Sequence, residues 1–143
     1  MSTPAQSASI HDPIKHSVCK WCYPDISLVD LCRAGKQFGL QSIELLTIED
    51  AMTVQQHGID CAILTFPTAT TAGGVEVGMI EKAFNRVEHH DALFEVYSET
   101  IARAGAIGIR NLICFSGNRE GLGDDEGLQN CLTGLRPLMP IAE

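Results

Sequence analysis

The chain has 143 residues, of which 45% are hydrophobic and 20% are charged, and its formal net charge at pH 7 is −8. These values are typical of a single globular domain, and an acidic chain without a basic patch argues against a surface for nucleic acid or anionic membrane. No apolar run approaches the roughly 20 residues that cross a bilayer. Residues 1–13 have no signal-peptide pattern. We predict that they form a flexible tail and that the protein is cytoplasmic.

The first predicted strand follows that tail, in "IKHSVCKW" at residues 14–21. Cys19 and Cys22 have the spacing of a redox pair, but Tyr23 and Pro24 follow where such a motif needs a helix. No second Cys or His pair has zinc-ligand spacing. The remaining cysteines are predicted to lie on apolar faces, where free cysteine acts as a small hydrophobic residue. They are Cys32, Cys61, Cys114 and Cys131.

Three further strands are predicted at residues 39–46, 58–66 and 108–116. Each starts with Gly, continues with Leu or Ile, and then becomes a short apolar run. Each also follows a segment with helical spacing, so the glycine is predicted to lie just past the C-terminus of a helix. The chain therefore contains four predicted strands, each followed by a predicted helix.

The predicted helices have start signals. Ser27 and Thr47 are each followed three residues later by Asp, the spacing of a capping box. Three acidic residues at 124–126 precede the last predicted helix. At its N-terminus, capping is favoured over metal binding as their role. The apolar stripes are Leu28, Leu31, Cys32 and Phe38; Leu93, Val96, Tyr97 and Ile101; and Leu128, Cys131, Leu132 and Leu135.

Alternating strands and helices predict an α/β fold with a parallel sheet that is covered by helices. A small doubly wound sheet and part of a (β/α)8 barrel both fit this pattern. Pro137 and Pro140 lie within the final amphipathic stretch, where a helix interior disfavours proline. We therefore expect a fold that is cut in its fourth unit.

Ligands of parallel α/β folds bind where the strands end. The fourth predicted strand ends in Ser116, Gly117, Asn118 and Arg119. Glu44 lies inside the second strand, and a carboxylate there is costly unless it is paired or used. A site role and a salt bridge, to Lys20 or to Arg119, are both compatible with it.

The other strand ends are less specific. Trp21 and Tyr23 follow the first strand and would either form an aromatic wall for a small ligand or cap the core. The stretch 67–86 is long and rich in Gly and Thr, without a nucleotide-binding motif, which predicts a lid or a disordered insertion. Arg86 closes it and would pair with an anionic substrate group or stay solvated. His89 and His90 are adjacent and make a poor chelate.

Several motifs occur in an order that resembles one enzyme family. They are "HSVCKWCY", "LQSIELL", "AFNR" followed by "HHD", and "NLICFSGNR" with "DDEGLQNC". This order resembles the hydroxypyruvate isomerase-like branch of the sugar phosphate isomerase/epimerase family, the xylose isomerase-like TIM barrels. The resemblance extends over residues 14–143, as the N-terminal half of such a barrel.

The resemblance implies a (β/α)8 barrel, of which this chain supplies about four βα units, that isomerises or epimerises a small hydroxy-carbonyl compound or sugar. In such enzymes a divalent metal, Mg²⁺ or Mn²⁺, polarises the substrate oxygens while acids and bases move a proton. The family's metal ligands begin on a fifth strand, after Glu143, so the resemblance implies no metal ligand in this chain. We expect the chain alone to be inactive. The positions that match pocket residues are Trp21, Glu44, Arg86, Ser116 and Asn118.

The chain also departs from the family pattern. Ala83 stands where relatives have Gly, His89 replaces an Asn, and residues 67–82 differ in composition. These departures leave the substrate open. Two other functions remain compatible with the sequence: a non-enzymatic half-barrel that forms a homo-oligomer or pairs with a missing C-terminal half, and a doubly wound domain that binds a small molecule.

Overall fold

The computed structural model describes residues 14–143, so the tail predicted at 1–13 lies outside the described residues. The fold is mixed α/β, as predicted. The helices are α1 (Leu28–Phe38), α2 (Ile48–Gln56), α3 (His90–Ala106), α4 (Asp124–Leu135) and α5 (Met139–Ala142). The strands are β1 (Ser17–Cys19), β2 (Ser42–Glu44), β3 (Ala69–Thr70) and β4 (Glu76–Val77). Short 3₁₀ turns occupy Lys20–Cys22, Val87–His89 and Arg136–Leu138.

Four extended parts of the chain run parallel and lie side by side in sequence order. β1 pairs with β2 in parallel. The third segment (residues 60–65) is joined by single parallel bridges to Ser42 in β2, through Asp60, and to Leu46 just after β2, through Leu64. The fourth segment (residues 109–115) joins the third through a parallel bridge between Leu64 and Leu112.

The predicted third and fourth strands are therefore not continuous strands, which corrects the sequence prediction. Leu45 has a φ of 60°, so the backbone leaves the extended conformation directly after β2 and the ladder is interrupted there. Single hydrogen bonds still hold the fourth segment in place. The Leu64 N–H donates to Asn111 O at 2.9 Å, and the Ile113 N–H donates to Leu64 O at 3.2 Å.

Local signals explain where the helices begin and end. Ser27 Oγ accepts a hydrogen bond from the Asp30 N–H at 3.1 Å, and Thr47 Oγ1 accepts one from the Asp50 N–H at 3.2 Å. Gly39 follows α1 with a φ of 76°, a conformation that favours glycine. The predicted caps are confirmed.

The apolar side chains form two cores. The first lies between the parallel segments and helices α1 and α2, with Ile43, Leu46 and Leu64 almost fully buried. The second packs α3 against the chain around Phe84 and Leu138.

Four predicted core positions are wrong. Phe38 is 82% exposed at the end of α1, Leu128 and Leu132 are exposed on α4, and Cys114 is exposed. Phe38 lies at the last position of its helix, beyond the buried positions of α1. On α4 only the side of Cys131 and Leu135 packs against the second core.

The stretch at 67–86 is folded, so the predicted alternative of a disordered insertion is wrong. It contains the antiparallel hairpin β3–β4, in which Ala69 lies opposite Val77. Val77, Ala83 and Phe84 are buried, so the stretch is anchored by its apolar side chains. Strands of two residues are too short for an alternating pattern to reveal them.

Neither of the two late prolines lies in a helix interior, contrary to the sequence prediction. Pro137 belongs to the first turn of the 3₁₀ segment Arg136–Leu138, and Pro140 to the first turn of α5. Proline is tolerated in a first turn because its missing N–H would have no partner there. In the part of the chain that the structure describes, no helix has the length and apolar character needed to cross a membrane.

Candidate functional site

Glu44 ends β2 and is buried, with 8% of its surface exposed. One carboxylate oxygen accepts hydrogen bonds from the Ala62 N–H at 2.8 Å and the Ile63 N–H at 3.1 Å. The other oxygen accepts a hydrogen bond from the Ser42 hydroxyl. Three donors therefore satisfy the carboxylate and fix β2 to the third segment.

The alternative prediction for Glu44, a salt bridge to Lys20 or Arg119, is wrong. Arg119 pairs instead with Asp124, Nη2 to Oδ1 at 2.7 Å, and the Lys20 ammonium donates to Tyr23 O at 2.9 Å. Backbone N–H groups replace a cationic partner because the third segment bends its amides toward the carboxylate.

Glu44 also influences the neighbouring thiol. Burial raises the pKa of Cys61 to about 11, and the negative charge of Glu44 adds to that effect. The Cys61 thiol donates to Ile63 O at 3.3 Å. The thiol therefore stays protonated near neutral pH and is a poor nucleophile.

We expect Cys61 to resist alkylation in the folded protein. At pH 8 roughly one Cys61 side chain in a thousand is a thiolate, since its pKa is about 11. The thiolate fraction, and with it the labelling rate, rises about tenfold per pH unit below that pKa. Iodoacetamide labelling followed by peptide mass spectrometry should modify the exposed Cys22 first. Equal labelling rates of the two residues in folded protein would contradict this assignment.

Asn85 joins the loop before α3 to the end of the fourth segment, and sequence reasoning missed it. It is buried, its N–H donates to Ser116 O at 2.6 Å, and its side-chain amide donates to Asn118 O at 2.7 Å. Asn130 of α4 donates to Asn85 O at 3.0 Å. The only sequence signal for Asn85 is its place inside the "AFNR" motif, in which Arg86 was the residue predicted to contact a ligand.

Arg86 strengthens the same connection. Its guanidinium donates to the backbone oxygens of Arg119 and Glu120, each at 3.1 Å. The prediction that Arg86 pairs with an anionic group or stays solvated is therefore incomplete, because Nη2 of its guanidinium already donates to two backbone carbonyls. The neighbouring histidines are similarly occupied. His89 Nδ1 contacts Ala83 O at 2.9 Å and His90 Nε2 contacts Phe84 O at 3.0 Å.

The structure thus brings together three of the five predicted pocket residues. Arg86 binds the backbone of Arg119 and Glu120, and its neighbour Asn85 binds the backbone of Ser116 and Asn118. The three predicted residues therefore lie near the end of the fourth segment, with Ser116 and Asn118 exposed. Trp21 is 69% exposed in the turn after β1, so it does not cap the core. Glu44 lies opposite Cys19 in the parallel register, on the strand beside that turn.

A cavity of about 330 Å³ adjoins this cluster at the N-terminus of α4. Ser116, Gly117, Arg119 and residues of the first turns of α4 line it, together with Asn85. Three acids occupy the first turn of α4, as predicted for helix capping. Trp21, Glu44, Arg86 and Asn118 line none of the described cavities.

Metal coordination needs several donors that converge. Among residues 14–143 no group of three or more His, Cys, Asp or Glu side chains comes together in this way. We therefore assign no chemical step to a metal held by these residues.

Comparison with known proteins gives no family assignment: no protein-family model matches the chain, and no curated protein matches its sequence.

Proposed function

We propose that the chain forms the first four βα units of a (β/α)8 barrel and supplies part of the pocket of a hydroxypyruvate isomerase-like enzyme. The observation that carries the proposal is the set of four parallel segments in sequence order, each followed by a helix. Ligands of such folds bind at the carboxyl ends of the strands. Trp21, Glu44 and the Ser116–Arg119 turn all follow or end such segments.

The proposed substrate is a small hydroxy-carbonyl compound or sugar. Isomerisation of such a compound moves a proton between neighbouring carbons, which requires an acid or base and a group that stabilises the oxyanion. Glu44 is the buried carboxylate in this region, and we propose that it orients a substrate hydroxyl. The exposed Ser116 hydroxyl and Asn118 amide would donate to or accept from the substrate oxygens.

The hydrogen bonds between the loop before α3 and the end of the fourth segment support a pocket wall that forms before substrate binds. Asn85 and Arg86 fix the backbone from Ser116 to Glu120 by four hydrogen bonds. A rigid backbone presents side chains with a lower entropy cost on binding. The turn that carries Ser116 and Asn118 would therefore be positioned before substrate arrives.

We expect the isolated chain to bind hydroxypyruvate without isomerising it. Trp21 is the chain's single tryptophan and is exposed, so its fluorescence reports on the predicted pocket. Titration with hydroxypyruvate should change that fluorescence in a saturable way. With Mg²⁺ or Mn²⁺ added, NMR should detect no conversion of the substrate. Robust turnover by this chain alone would contradict the assignment of the metal ligands to a part of the barrel after Glu143.

Glu44→Gln should weaken hydroxypyruvate binding roughly tenfold, the cost of about one lost charge-assisted hydrogen bond. The control is Glu95→Gln, the same change at an exposed position of α3. Circular dichroism of both variants checks the fold. No saturable binding by the native chain, or equal affinity of both variants, would contradict the pocket proposal.

A further inference from the structure

Two of the chain's six cysteines lie in one tight turn at the end of β1. Cys19 is the last residue of β1, and Cys22 is the last residue of the 3₁₀ turn Lys20–Cys22 that follows. The Tyr23 N–H donates to Lys20 O at 2.9 Å and closes the turn. Both cysteines have free thiols. The turn therefore contains a dithiol whose members are three residues apart.

The backbone of this turn permits a disulfide between the two cysteines. The hydrogen bonds of a 3₁₀ turn join residues that are three apart, and residues in that relation have Cα atoms less than about 7 Å apart in a tight turn. A disulfide needs Cα atoms about 4.4–6.8 Å apart. Cys19 itself keeps the extended backbone of the strand, with a φ of −91° and a ψ of 132°. The bond can therefore form within the turn while β1 stays paired.

The two thiols differ in exposure. Cys22 is exposed, whereas Cys19 is half-buried and lies opposite Glu44 in the parallel register of β1 and β2. An oxidant therefore reaches Cys22 first, and Cys19 is the neighbouring thiol that attacks the product. An accessible thiol beside a resolving thiol is typical of cysteines that undergo reversible oxidation.

Three other cysteines are less suited to this reaction. Burial raises the pKa of Cys32, Cys61 and Cys131, so fewer of these thiols are thiolates at neutral pH. The thiolate is the form that attacks a disulfide. Cys114 is exposed like Cys22, but no cysteine lies three residues from it. It therefore provides the comparison for Cys22.

We propose that Cys19 and Cys22 form a reversible disulfide by exchange with a small-molecule disulfide such as glutathione disulfide. The Cys22 thiol loses its proton, and its sulfur attacks one sulfur of glutathione disulfide, which breaks that S–S bond and releases one glutathione. The Cys19 sulfur then attacks the Cys22 sulfur of the mixed disulfide and releases the second glutathione. Two protein thiols are oxidised to one disulfide, one glutathione disulfide is reduced to two thiols, and two protons pass from the cysteines to the glutathiones.

This reaction modifies the chain and is not catalysis. α1 begins only at Leu28, so the pair lacks the helix N-terminus that dithiol oxidoreductases use to activate a thiol. The inference does not depend on isomerase activity, because the turn and its two thiols carry it.

Peptide mass spectrometry of the native chain tests the proposal. The folded chain is incubated with glutathione disulfide, its remaining thiols are blocked with iodoacetamide, and it is digested with trypsin. Trypsin cleaves after Lys20, between the two cysteines, so the disulfide should join peptide 16–20 to peptide 21–33. Fragmentation of the joined peptides distinguishes Cys22 from Cys32, which lies in the same peptide. Dithiothreitol should separate the two peptides again.

Three variants test the order of the two steps. Cys19→Ser removes the resolving thiol and should trap glutathione on Cys22. Cys22→Ser should acquire glutathione on Cys19 roughly tenfold more slowly, because Cys19 is half-buried. Cys114→Ser changes the other exposed cysteine and should leave the disulfide in the turn unchanged.

Each outcome decides the proposal. A joined peptide pair that dithiothreitol separates and that Cys114→Ser retains supports it. Free Cys19 and Cys22 thiols after incubation, or a disulfide from Cys22 to Cys32 in their place, overturn it. Equal rates of glutathione addition in the two other serine variants overturn the assignment of Cys22 as the first thiol.

A second measurement compares the folded chain with the chain in denaturing urea. At a fixed ratio of glutathione to its disulfide, the ratio of disulfide to dithiol should be roughly tenfold higher in the folded chain, since the turn raises the effective concentration of one thiol at the other. Equal ratios would show that the turn does not bring the thiols together and would overturn the proposal. Hydroxypyruvate takes part in neither experiment, so their failure leaves the enzymatic proposal unaffected.

Discussion

Replacing Gly117 by Ala is expected to lower the free energy of unfolding by about 2–4 kcal/mol. Gly117 has a φ of 102°, which L-amino acids with a side chain rarely adopt. An added Cβ would also lie 2.3 Å from Asn85 Oδ1 and 3.1 Å from Ala83 N. Asn85 cannot move aside freely, because its amide is bound to Asn118 O. Urea denaturation measures the loss directly.

The matched control for this prediction is Gly121→Ala. Gly121 also has a positive φ, 81°, but an added Cβ would have no neighbouring atom within 4 Å. Its substitution should therefore cost only the conformational term, about 1 kcal/mol. Equal destabilisation by the two variants would show that the contact between Gly117 and Asn85 has no energetic role.

The prediction also explains why the "FSGNR" motif contains glycine. Asn85 Oδ1 is buried and has no hydrogen-bond partner among residues 14–143. The Asn85 side chain can approach the backbone this closely only where the facing residue has no Cβ. The glycine therefore serves the connection between the loop and the fourth segment, and any role in ligand binding depends on that connection.

Local features of the fold were predictable from the sequence. The caps at Ser27 and Thr47 and the left-handed Gly39 depend on residues within one helical turn of each other. Such short-range chemistry needs no knowledge of the tertiary structure. Apolar residues at helical spacing likewise identified α1, α3 and α4, whereas α2 was indicated only by its cap at Thr47.

Features that depend on distant residues were not predictable. The partners of Glu44 are backbone groups of Ala62 and Ile63, and a sequence does not reveal which amides turn toward a carboxylate. The exposure of Phe38 follows from where α1 ends relative to the core. The role of Asn85 depends on contacts with residues about 30 positions later in the chain.

Arg86, Ser116 and Asn118, the predicted pocket residues near the end of the fourth segment, also combine a predictable position with contacts that the sequence does not reveal. The place of Ser116 and Asn118 after an apolar run was evident from "NLICFSGNR", and the structure connects this turn to Asn85 and Arg86. Which atoms of these residues form the contacts was not evident. The backbones of Ser116 and Asn118 connect to Asn85, so the side chains are the parts that remain for a ligand.

Glu44→Ala is expected to lower the free energy of unfolding by about 2–4 kcal/mol. The substitution leaves the N–H groups of Ala62 and Ile63 without an acceptor and removes the partner of the Ser42 hydroxyl. Both N–H groups are partly buried where they meet Glu44, so water would replace the lost acceptor only incompletely. Urea denaturation of Glu44→Ala and of the exposed Glu95→Ala measures the difference. The control variant should stay within about 0.5 kcal/mol of the native chain.

The Gln variant separates the structural role of Glu44 from the proposed role in binding. Gln retains one carbonyl oxygen that accepts from Ala62 and Ile63, and its amide can donate to the Ser42 hydroxyl. Glu44→Gln should therefore lose about 1 kcal/mol, well below the loss in Glu44→Ala. If hydroxypyruvate binding nevertheless falls tenfold, the negative charge itself contributes to recognition. If binding and stability change together in both variants, Glu44 is a structural link between β2 and the third segment and does not contact substrate.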